Sequence, residues 1–539
     1  MGTYLNPGNS GFAEIVSDDY IDKTGMIDLV NRKINKPQKL ICISRPRRFG
    51  KSYAAQMLCA YYDHTCDSHR LFEDKEAAKT EYYEDCINKY NVIYLDMTNL
   101  LGKVKPESLI AFIEESVTEE LLAEYQELKR GSTFDQTLIN TVESGNPKFI
   151  MIIDEWDAPI RETPQITKEY LLFLRMLFKS SNTTSKIFAA AYMTGILPIK
   201  KDKGQSAVSD FDEFTVLEPG EYSEYIGFTE NEVKILCDRY HMSFEKAKEW
   251  YDGYTFSETQ SIYNPYSIMK AMQKRVYRSY WQQTSAAENL ETLININKDG
   301  LQEDILKLIA GEQIVVNTNR FKNDFATFTS KDDVLTLLIH LGYLVYNSET
   351  RRVRIPNEEV RFEFDDLLRN AQYTGLAKLV QDSEKLLQDT LNCNEAEVVN
   401  AIVRVRNTNY APMFYNNEQA LRYVIKFAYI VCIDYYLKVE ELPTGHGIAD
   451  VVFLPKRDTS LPAMIVELKW NQTAEGAIKQ IKEKDYPSLI SEYTGDILLV
   501  GINYNEDTKK HSCKIEKLKM YCISKRNNNQ DPLIIAPNQ

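Results

Sequence analysis

The chain has 539 residues, 43% of them hydrophobic and 26% charged, enough for about three domains with real cores. No apolar run approaches the roughly 18–20 residues that span a bilayer, and Met1 to Ser10 lacks a charged start followed by an apolar stretch, so neither a membrane segment nor a secretory signal is expected. A net charge of −14 excludes a general nucleic-acid coat protein but leaves room for a local basic groove, and nine scattered cysteines with no Cys-x-x-Cys pair fit reduced thiols in the cytoplasm. Cys59, Cys66 and His69, and again His511 and Cys513, complete no zinc set and read as structural.

In chain order, Lys39–Ser44 reads as a buried strand. It runs into Arg45-Pro46-Arg47-Arg48-Phe49-Gly50-Lys51-Ser52 and then a helix to about Asp63. Strand, tight loop, Gly-Lys-Ser and helix together make a phosphate cradle, in which backbone N–H groups and the helix N-terminus face the anion. Lys51 reaches the outer phosphates and the Ser52 hydroxyl binds Mg²⁺. Arg47, Arg48, Phe49 and Gly50 complete the expected ATP contacts. Arg45 stands where the standard pattern has glycine. Arg45, Arg47 and Arg48 read as phosphate contacts, with capping of the loop as the alternative.

Further strands are expected at Asn91–Asp96, Lys148–Asp154, Lys186–Met193 and Glu213–Leu217. Helices are expected at about Ser52–Asp63, Pro106–Glu127 and Thr167–Lys179. The third strand ends in Asp154-Glu155 and the fourth in Thr194-Gly195. Taken alone, the two acids could cap the strand or start a helix, and Thr194 could be a turn residue. The whole order resembles the additional-strand class of P-loop ATPases, an α/β fold with a parallel sheet flanked by helices. That resemblance implies Asp154 on the magnesium, Glu155 as the base that polarises the attacking water, and Thr194 as the γ-phosphate sensor.

Residues 218–345 read as mostly helical and rich in aromatics. Tyr263-Asn264-Pro265-Tyr266-Ser267 reads as a turn that opens a helix at Pro265. It resembles the Gly-x-Pro turn of the helical lid in signalling ATPases, with Tyr263 in the glycine's place. Tyr251, Tyr254, Tyr280 and Trp281 read as packing rather than base-stacking residues. Residues 346–390 read as a strand pair and a helical connector, with Arg351–Arg354 a solvated hairpin.

After these comes a helix over Glu418–Tyr436. Strands follow at Leu437–Leu442, Ile448–Leu454 and Ala463–Lys469, then a helix over Thr473–Lys484 and a strand over Asp496–Tyr504. Glu467 and Lys469 share a strand face, roughly 7 Å apart along the strand. A hairpin can bring Asp450 beside them. Two carboxylates on one face make a hard-oxygen site for a divalent cation, and a lysine alongside can orient a water or steady a phosphoryl oxygen. A surface strand with an ordinary Glu/Lys pair is the plainer reading. The order of elements, with Asp on the second strand and Glu-x-Lys on the third, resembles the PD-(D/E)XK nuclease superfamily. That resemblance implies Asp450 and Glu467 on Mg²⁺ and Lys469 assisting the water, although Ala449 replaces the proline. It also implies accessory roles for Glu418, Gln480 and Tyr486, against a solvated helix face for Gln480.

Arg45–Ser52, Ile153-Asp154-Glu155-Trp156-Asp157-Ala158-Pro159-Ile160, Met193-Thr194-Gly195-Ile196 and Trp250-Tyr251-Asp252-Gly253-Tyr254 together resemble the bacterial AAA-ATPase-like family, over about Phe12 to Ile515. Members commonly carry a PD-(D/E)XK domain, and an arginine-rich loop without the first glycine is usual among them. The expected organisation is therefore a P-loop AAA-ATPase-like domain over 1–217, a helical lid or winged-helix-like region over 218–345, a connector over 346–390 and an α/β restriction-endonuclease-like domain over 391–539. The expected activity is ATP binding and hydrolysis joined to Mg²⁺-dependent hydrolysis of DNA and gated by nucleotide state. Two other readings stay open. One is a regulatory ATPase of the signalling type whose last domain binds nucleic acid or protein without cutting. The other is a slow phosphate-sensing switch, which Arg45 favours. A homo-oligomer stays open too, because an arginine supplied in trans is invisible in one chain.

Overall fold

The structure is a computed structural model. It describes residues 2–199, 208, 210–256, 259–281, 290, 293–294, 299–309, 311–321, 328, 330–370, 376–407, 418–444, 447–456, 461–484, 486, 493 and 495–518. The chain divides into two units, residues 1–365 and 366–539. No described helix is long and apolar enough to cross a membrane.

The first unit is built on strands β1 (Leu40–Ser44), β2 (Asn91–Asp96), β3 (Phe149–Asp154), β4 (Phe188–Gly195) and β5 (Asp212–Phe214). They form one parallel sheet in the order β2-β3-β4-β1-β5. β4 thus lies between the strand that feeds the phosphate loop and the strand that ends in the two acids, as the additional-strand reading requires. β1, β3 and β4 are buried throughout. They read as unbroken apolar runs because both sheet faces are covered. Alternate residues serve opposite cores: Leu40, Cys42, Met151 and Ile153 pack on one side, Ile41, Ile43, Ile150 and Ile152 on the other. Register brings the C-terminal ends together, with Ile43 beside Thr194 and Asp96 beside Asp154. Ligands in open α/β sheets bind at this edge.

β5 is shorter than the expected Glu213–Leu217. Thr215 Oγ1 accepts the N–H groups of Leu217 and Glu218, both at 3.1 Å, so the chain turns there. Residues 218–345 hold the expected helices, among them Glu230–Tyr240, Phe244–Tyr251, Pro265–Lys274 and Lys331–Leu341. They also contribute to two three-stranded sheets; the second holds the strand pair expected at the start of 346–390, and the remaining strands were not expected. One has the order β6 (Phe228–Thr229), β8 (Thr259–Tyr263), β7 (Tyr254–Phe256). The other has the order β10 (Val345–Asn347), β11 (Arg352–Arg354), β9 (Ile314–Val315). The unexpected strands, of two to five residues, carry too little alternation to be read. Asn264 caps the Pro265 helix by accepting the Tyr266 and Ser267 N–H groups at 3.0 and 3.4 Å. Tyr251, Tyr254, Tyr280 and Trp281 are all buried, in keeping with a packing role. The arginine hairpin is only partly solvated: Arg351 and Arg352 are exposed, but Arg354 donates to the carbonyls of Gly253 (2.9 Å) and Pro356 (3.0 Å).

The second unit holds a mixed sheet in chain order: β12 (Tyr436–Thr444), β13 (Gly447–Pro455), β14 (Ala463–Trp470), β15 (Ile497–Asn505) and β16 (Lys510–Leu518). Only β14 and β15 run parallel, joined by the helix Ala474–Glu483. That helix packs Ile478 and Ile481 over Ala463, Ile465 and Leu499. β16 was not expected, and the expected helix Glu418–Tyr436 is broken into Glu418–Ala428 and Cys432–Tyr435. The break has a visible cause: Ser383 Oγ takes the Val431 N–H at 3.1 Å in a buried position, which competes with the helical ladder.

Gly342 ties the phosphate loop to the region after the sheet. It ends the helix Lys331–Leu341 at φ +89°, and a Cβ there would meet Pro46 at 2.8 Å and Trp281 at 3.1 Å. Gly342→Ala is expected to destabilise the first unit by about 1–2 kcal/mol from the left-handed backbone alone, and further by displacing Pro46. Urea unfolding should show the loss, and nucleotide affinity should fall with it. Parent-like stability would show that this junction is slack.

Candidate active sites

The first site is a cleft of about 540 Å³, a volume suited to a nucleotide. Its walls are the phosphate loop with the start of the helix Lys51–Tyr62, an N-terminal stretch that includes Tyr20 and Ile21, and the helix Pro265–Lys274, which presents Tyr266, Met269 and Gln273. Pro265 itself lines the cleft, which puts the expected lid turn at the site. Gly50 opens the helix at φ +95°, and an added Cβ would meet nothing within 4 Å. The glycine is therefore required by the backbone conformation, and the space before it is free for an anion.

Lys51, Ser52, Asp154, Glu155 and Thr194 converge as the sequence implied. Lys51 is buried and donates to the carbonyls of Arg45 (3.2 Å) and Pro46 (3.0 Å), with Glu155 at 3.5 Å. Asp154 is buried and accepts from the hydroxyls of Thr194 and Ser52. Burial raises its carboxyl above the usual range despite those bonds. Burial also pushes Glu155 up, but Lys51, Arg161 and Arg47 outweigh it and hold the carboxyl below its usual range. A buried carboxylate beside a helix-opening hydroxyl is a suitable donor set for Mg²⁺, which keeps waters as its other ligands.

The loop's larger side chains divide between the interior and the cleft. Arg45 corrects the expectation of a phosphate contact. It is fully buried, donates to the carbonyls of Ser44 and Phe214, both at 3.0 Å, and lies 4.8 Å from the Phe256 ring. Burial pushes it down to about 9. The carbonyls at the end of β5 need donors, and Arg45 supplies them. Phe49 reaches the cleft wall, but its ring is buried edge-on to Tyr254, 5.1 Å between centroids. Arg48 lines the cleft with its guanidinium 3.8 Å from the Tyr266 ring, and Arg47 lies behind it, beside Trp281.

The second site lies where β13 and β14 diverge beyond the Val451–Val466 pair, which leaves Asp450 across from Glu467. Asp450 Oδ2 accepts the Leu468 N–H at 2.8 Å, and Oδ1 accepts from Arg422 on the helix Glu418–Ala428. Glu467 Oε1 accepts from Lys469 Nζ at 2.8 Å and from the Gln480 amide. Gln480 also reaches Tyr486 Oη at 3.3 Å. Glu467 Oε2 is buried, with no hydrogen-bond partner among the described residues. Burial pushes Glu467 up to about 7, with Lys469 opposing and Asp450 adding to the rise. Two facing carboxylates and a spare buried oxygen fit a divalent cation. Among the described residues no group of three or more His, Cys, Asp or Glu converges, so water or substrate would supply its other ligands. Asp450, Glu467, Lys469, Gln480 and Tyr486 are thus brought together. Glu418 stands one helical turn before Arg422, and among the described residues no hydrogen bond or ion pair joins it to either carboxylate.

Several residues had no reading from sequence: Tyr20 and Ile21, the cleft face of Pro265–Lys274, and Asp157, Arg161 and Arg422. The Asp157/Arg161 spacing of four on one helical turn was the available signal.

Comparison with known proteins agrees with this division. Residues 7–203 match the family model described as predicted AAA-ATPase, and residues 416–514 match the PD-(D/E)XK nuclease superfamily model. A curated relative from Azotobacter chroococcum mcd 1, described as an uncharacterized protein in the vnfD 5′ region, is 23% identical over 93% of this chain and 96% of its own length. Among solved structures, the Aeropyrum pernix ORC2 protein in ADPNP-ADP complexes aligns at a TM-score of 0.28 and 13% identity, covering 65% of this chain and 96% of that one. The Aeropyrum pernix ORC1 protein in complex with DNA aligns at 0.24 and 11%, covering 85% and 95%. Residues 7–203 thus belong to an AAA-ATPase-like domain and residues 416–514 to a domain of the PD-(D/E)XK nuclease superfamily.

Proposed function

We propose that the protein binds and hydrolyses ATP with Mg²⁺ in its first unit and cuts DNA with a divalent cation in its second, the cutting being gated by nucleotide state in the cytoplasm. The observation that carries the reading is Asp450 facing Glu467, whose buried Oε2 has no hydrogen-bond partner among the described residues, with Lys469 2.8 Å from its other oxygen. Asp450 and Glu467 would hold the cation, which when bound supplies a water acidic enough to act near neutral pH. Gln480 fixes Glu467 Oε1 and leaves Oε2 for that role. Lys469 is placed to orient the water or to neutralise charge on a phosphoryl oxygen.

In the first unit, phosphate would draw Lys51 from the Arg45 and Pro46 carbonyls, an exchange of neutral acceptors for a charged one. Glu155 would then act on the attacking water, with Asp154 and Ser52 on the magnesium and Thr194 beside them as sensor. Arg48, stacked on Tyr266, gives the loop a direct contact with the lid helix. One observation favours a second reading, a regulatory ATPase whose second unit binds nucleic acid or protein without cutting. Arg422 already supplies a positive charge to Asp450.

Lys51→Ala should lower ATP affinity about tenfold or more, the loss of a charge-assisted contact of about 1.5–3 kcal/mol, read by calorimetry. Unchanged affinity in a folded variant would remove the loop from the site.

A cleavage assay on linear, circular and single-stranded DNA and on RNA, with and without ATP, separates the two readings of the second unit. Asp450→Asn, Glu467→Gln and Lys469→Ala should each abolish metal-dependent cutting and leave ATP binding intact. Above about pH 7 the parent carries a buried charge on Glu467 that the glutamine lacks. A raised carboxyl costs stability as pH rises through its folded value, so metal-free Glu467→Gln should match or exceed the parent's stability at pH 8. A parent that cuts nothing under any metal or nucleotide condition tried would decide for the regulatory reading.

A further inference from the structure

Arg161 lies on the short helix Ala158–Glu162 that follows the acidic pair, and its side chain is only 9% exposed. Its guanidinium is shared among three carboxylates, one of them Glu162 on its own helix, whose Oε1 lies 3.4 Å from Nη1. Nη2 lies 3.1 Å from Glu155 Oε2, and Nε lies 2.8 Å from Asp157 Oδ2. Asp157 is fully buried and accepts the N–H groups of Ile196 (3.2 Å) and Leu197 (3.0 Å), just past Thr194. Trp156 closes the same junction, its N–H donating to the Thr194 carbonyl at 2.8 Å. One arginine therefore links the acid at the end of β3 to the turn at the end of β4.

Glu155 needs such a link. Its backbone has φ +52°, a left-handed conformation that a glutamate adopts only where the surroundings enforce it. The other cations acting on its carboxylate are Lys51 at 3.5 Å and Arg47, both in or beside the phosphate loop. A bound phosphate competes for Lys51, which lines the cleft. Arg161 is not among the residues lining the cleft, so phosphate does not draw it away. Its planar fork can hold two carboxylates in fixed relative orientation, which a lysine ammonium cannot.

We propose that Arg161 is a positioning residue for ATP hydrolysis: it holds the Glu155 carboxylate and, through Asp157, registers it against the turn that follows Thr194. The proposal rests on Glu155 being the group that polarises the attacking water. An ion pair that served stability alone would be the ordinary alternative.

The test uses the full chain and four variants: Arg161→Ala, Arg161→Lys, Glu155→Gln and the Arg161→Ala/Glu155→Gln double variant. ATP affinity is measured by calorimetry, turnover by phosphate release, and folding by the thermal midpoint. Arg161→Ala should keep ATP affinity within about threefold and lower kcat about 10- to 100-fold, the scale of a misplaced catalytic group. In the Glu155→Gln background the same change should alter kcat by less than about twofold, because the group it positions is already gone. Arg161→Lys keeps the charge without the fork and should give an intermediate kcat at unchanged affinity. It decides the question if the alanine variant does not fold. Parent-like turnover in Arg161→Ala or Arg161→Lys, an equal loss in both backgrounds, or a fall in affinity that accounts for the loss in rate would each overturn the proposal. If Glu155→Gln hydrolyses ATP at the parent rate, or the parent hydrolyses none, the reading of Glu155 falls and this proposal with it. If Glu155→Gln is inactive and Arg161→Ala is not, only the role of Arg161 falls.

Discussion

The first unit depends on how its phosphate loop is held. Arg45 and Phe49 of the loop point into the protein, while Arg48 and Lys51 line the cleft. Arg45 is locked under β5, Pro46 sits against Gly342, and the Phe49 ring is wedged edge-on to Tyr254. A glycine-rich loop binds phosphate by being free to wrap it. This loop has its shape fixed before phosphate arrives, which reduces the ordering cost of binding. The same anchors make the loop and the region after the sheet one packed body, so a displacement of one is felt by the other.

Both candidate sites hold a polar group in reserve. Lys51 is satisfied by two loop carbonyls and the Glu155 carboxylate, partners a phosphate can replace with stronger charge-assisted bonds. Glu467 Oε2 has no hydrogen-bond partner among the described residues, and an unsatisfied buried oxygen costs about 1–3 kcal/mol. A protein selected for stability alone would have filled or removed that oxygen. Its presence beside Asp450, Lys469 and Gln480 argues for a ligand, and a cation is the ligand that two carboxylates admit. Arg422 complicates the same site, because its charge on Asp450 must move or be shared before an ion can use both carboxylates.

Much of this was legible in the sequence. The parallel sheet was, because its buried strands are unbroken apolar runs that end in chemically marked residues. Asp450, Glu467 and Lys469 were, because strand alternation fixes which side chains share a face. What escaped reading had physical reasons. The short strands β6 to β9 carry too few residues for a period to show. The break after Ala428 depends on Ser383, forty-eight residues before Val431. Arg45 was misread because sequence shows its charge but not the unpaired carbonyls of Phe214 and Pro219 that claim it. Arg161 and Arg422 are ordinary helix-surface arginines until the fold sets a carboxylate in front of each.

Nucleotide gating needs an element that responds differently to the empty and the filled loop, since a ligand shifts an equilibrium only by its differential affinity. Arg48 is the loop residue best placed to begin such a response. It lies 3.8 Å from the Tyr266 ring in the first turn of the helix Pro265–Lys274, and its charge bears on Glu359. Glu359 is buried, accepts the Tyr280 N–H at 2.9 Å and is pushed up to about 7 by that burial. It belongs to the helix Glu358–Asn370, which carries the chain past residue 365. A phosphate that drew Arg48 toward itself would leave Glu359 with less positive charge nearby, which adds to the effect of burial in favouring its protonated form. That response acts on the first turn of the helix Glu358–Asn370. A chain of contacts with two arrangements is what physical coupling requires, and mere proximity along the path would not supply it.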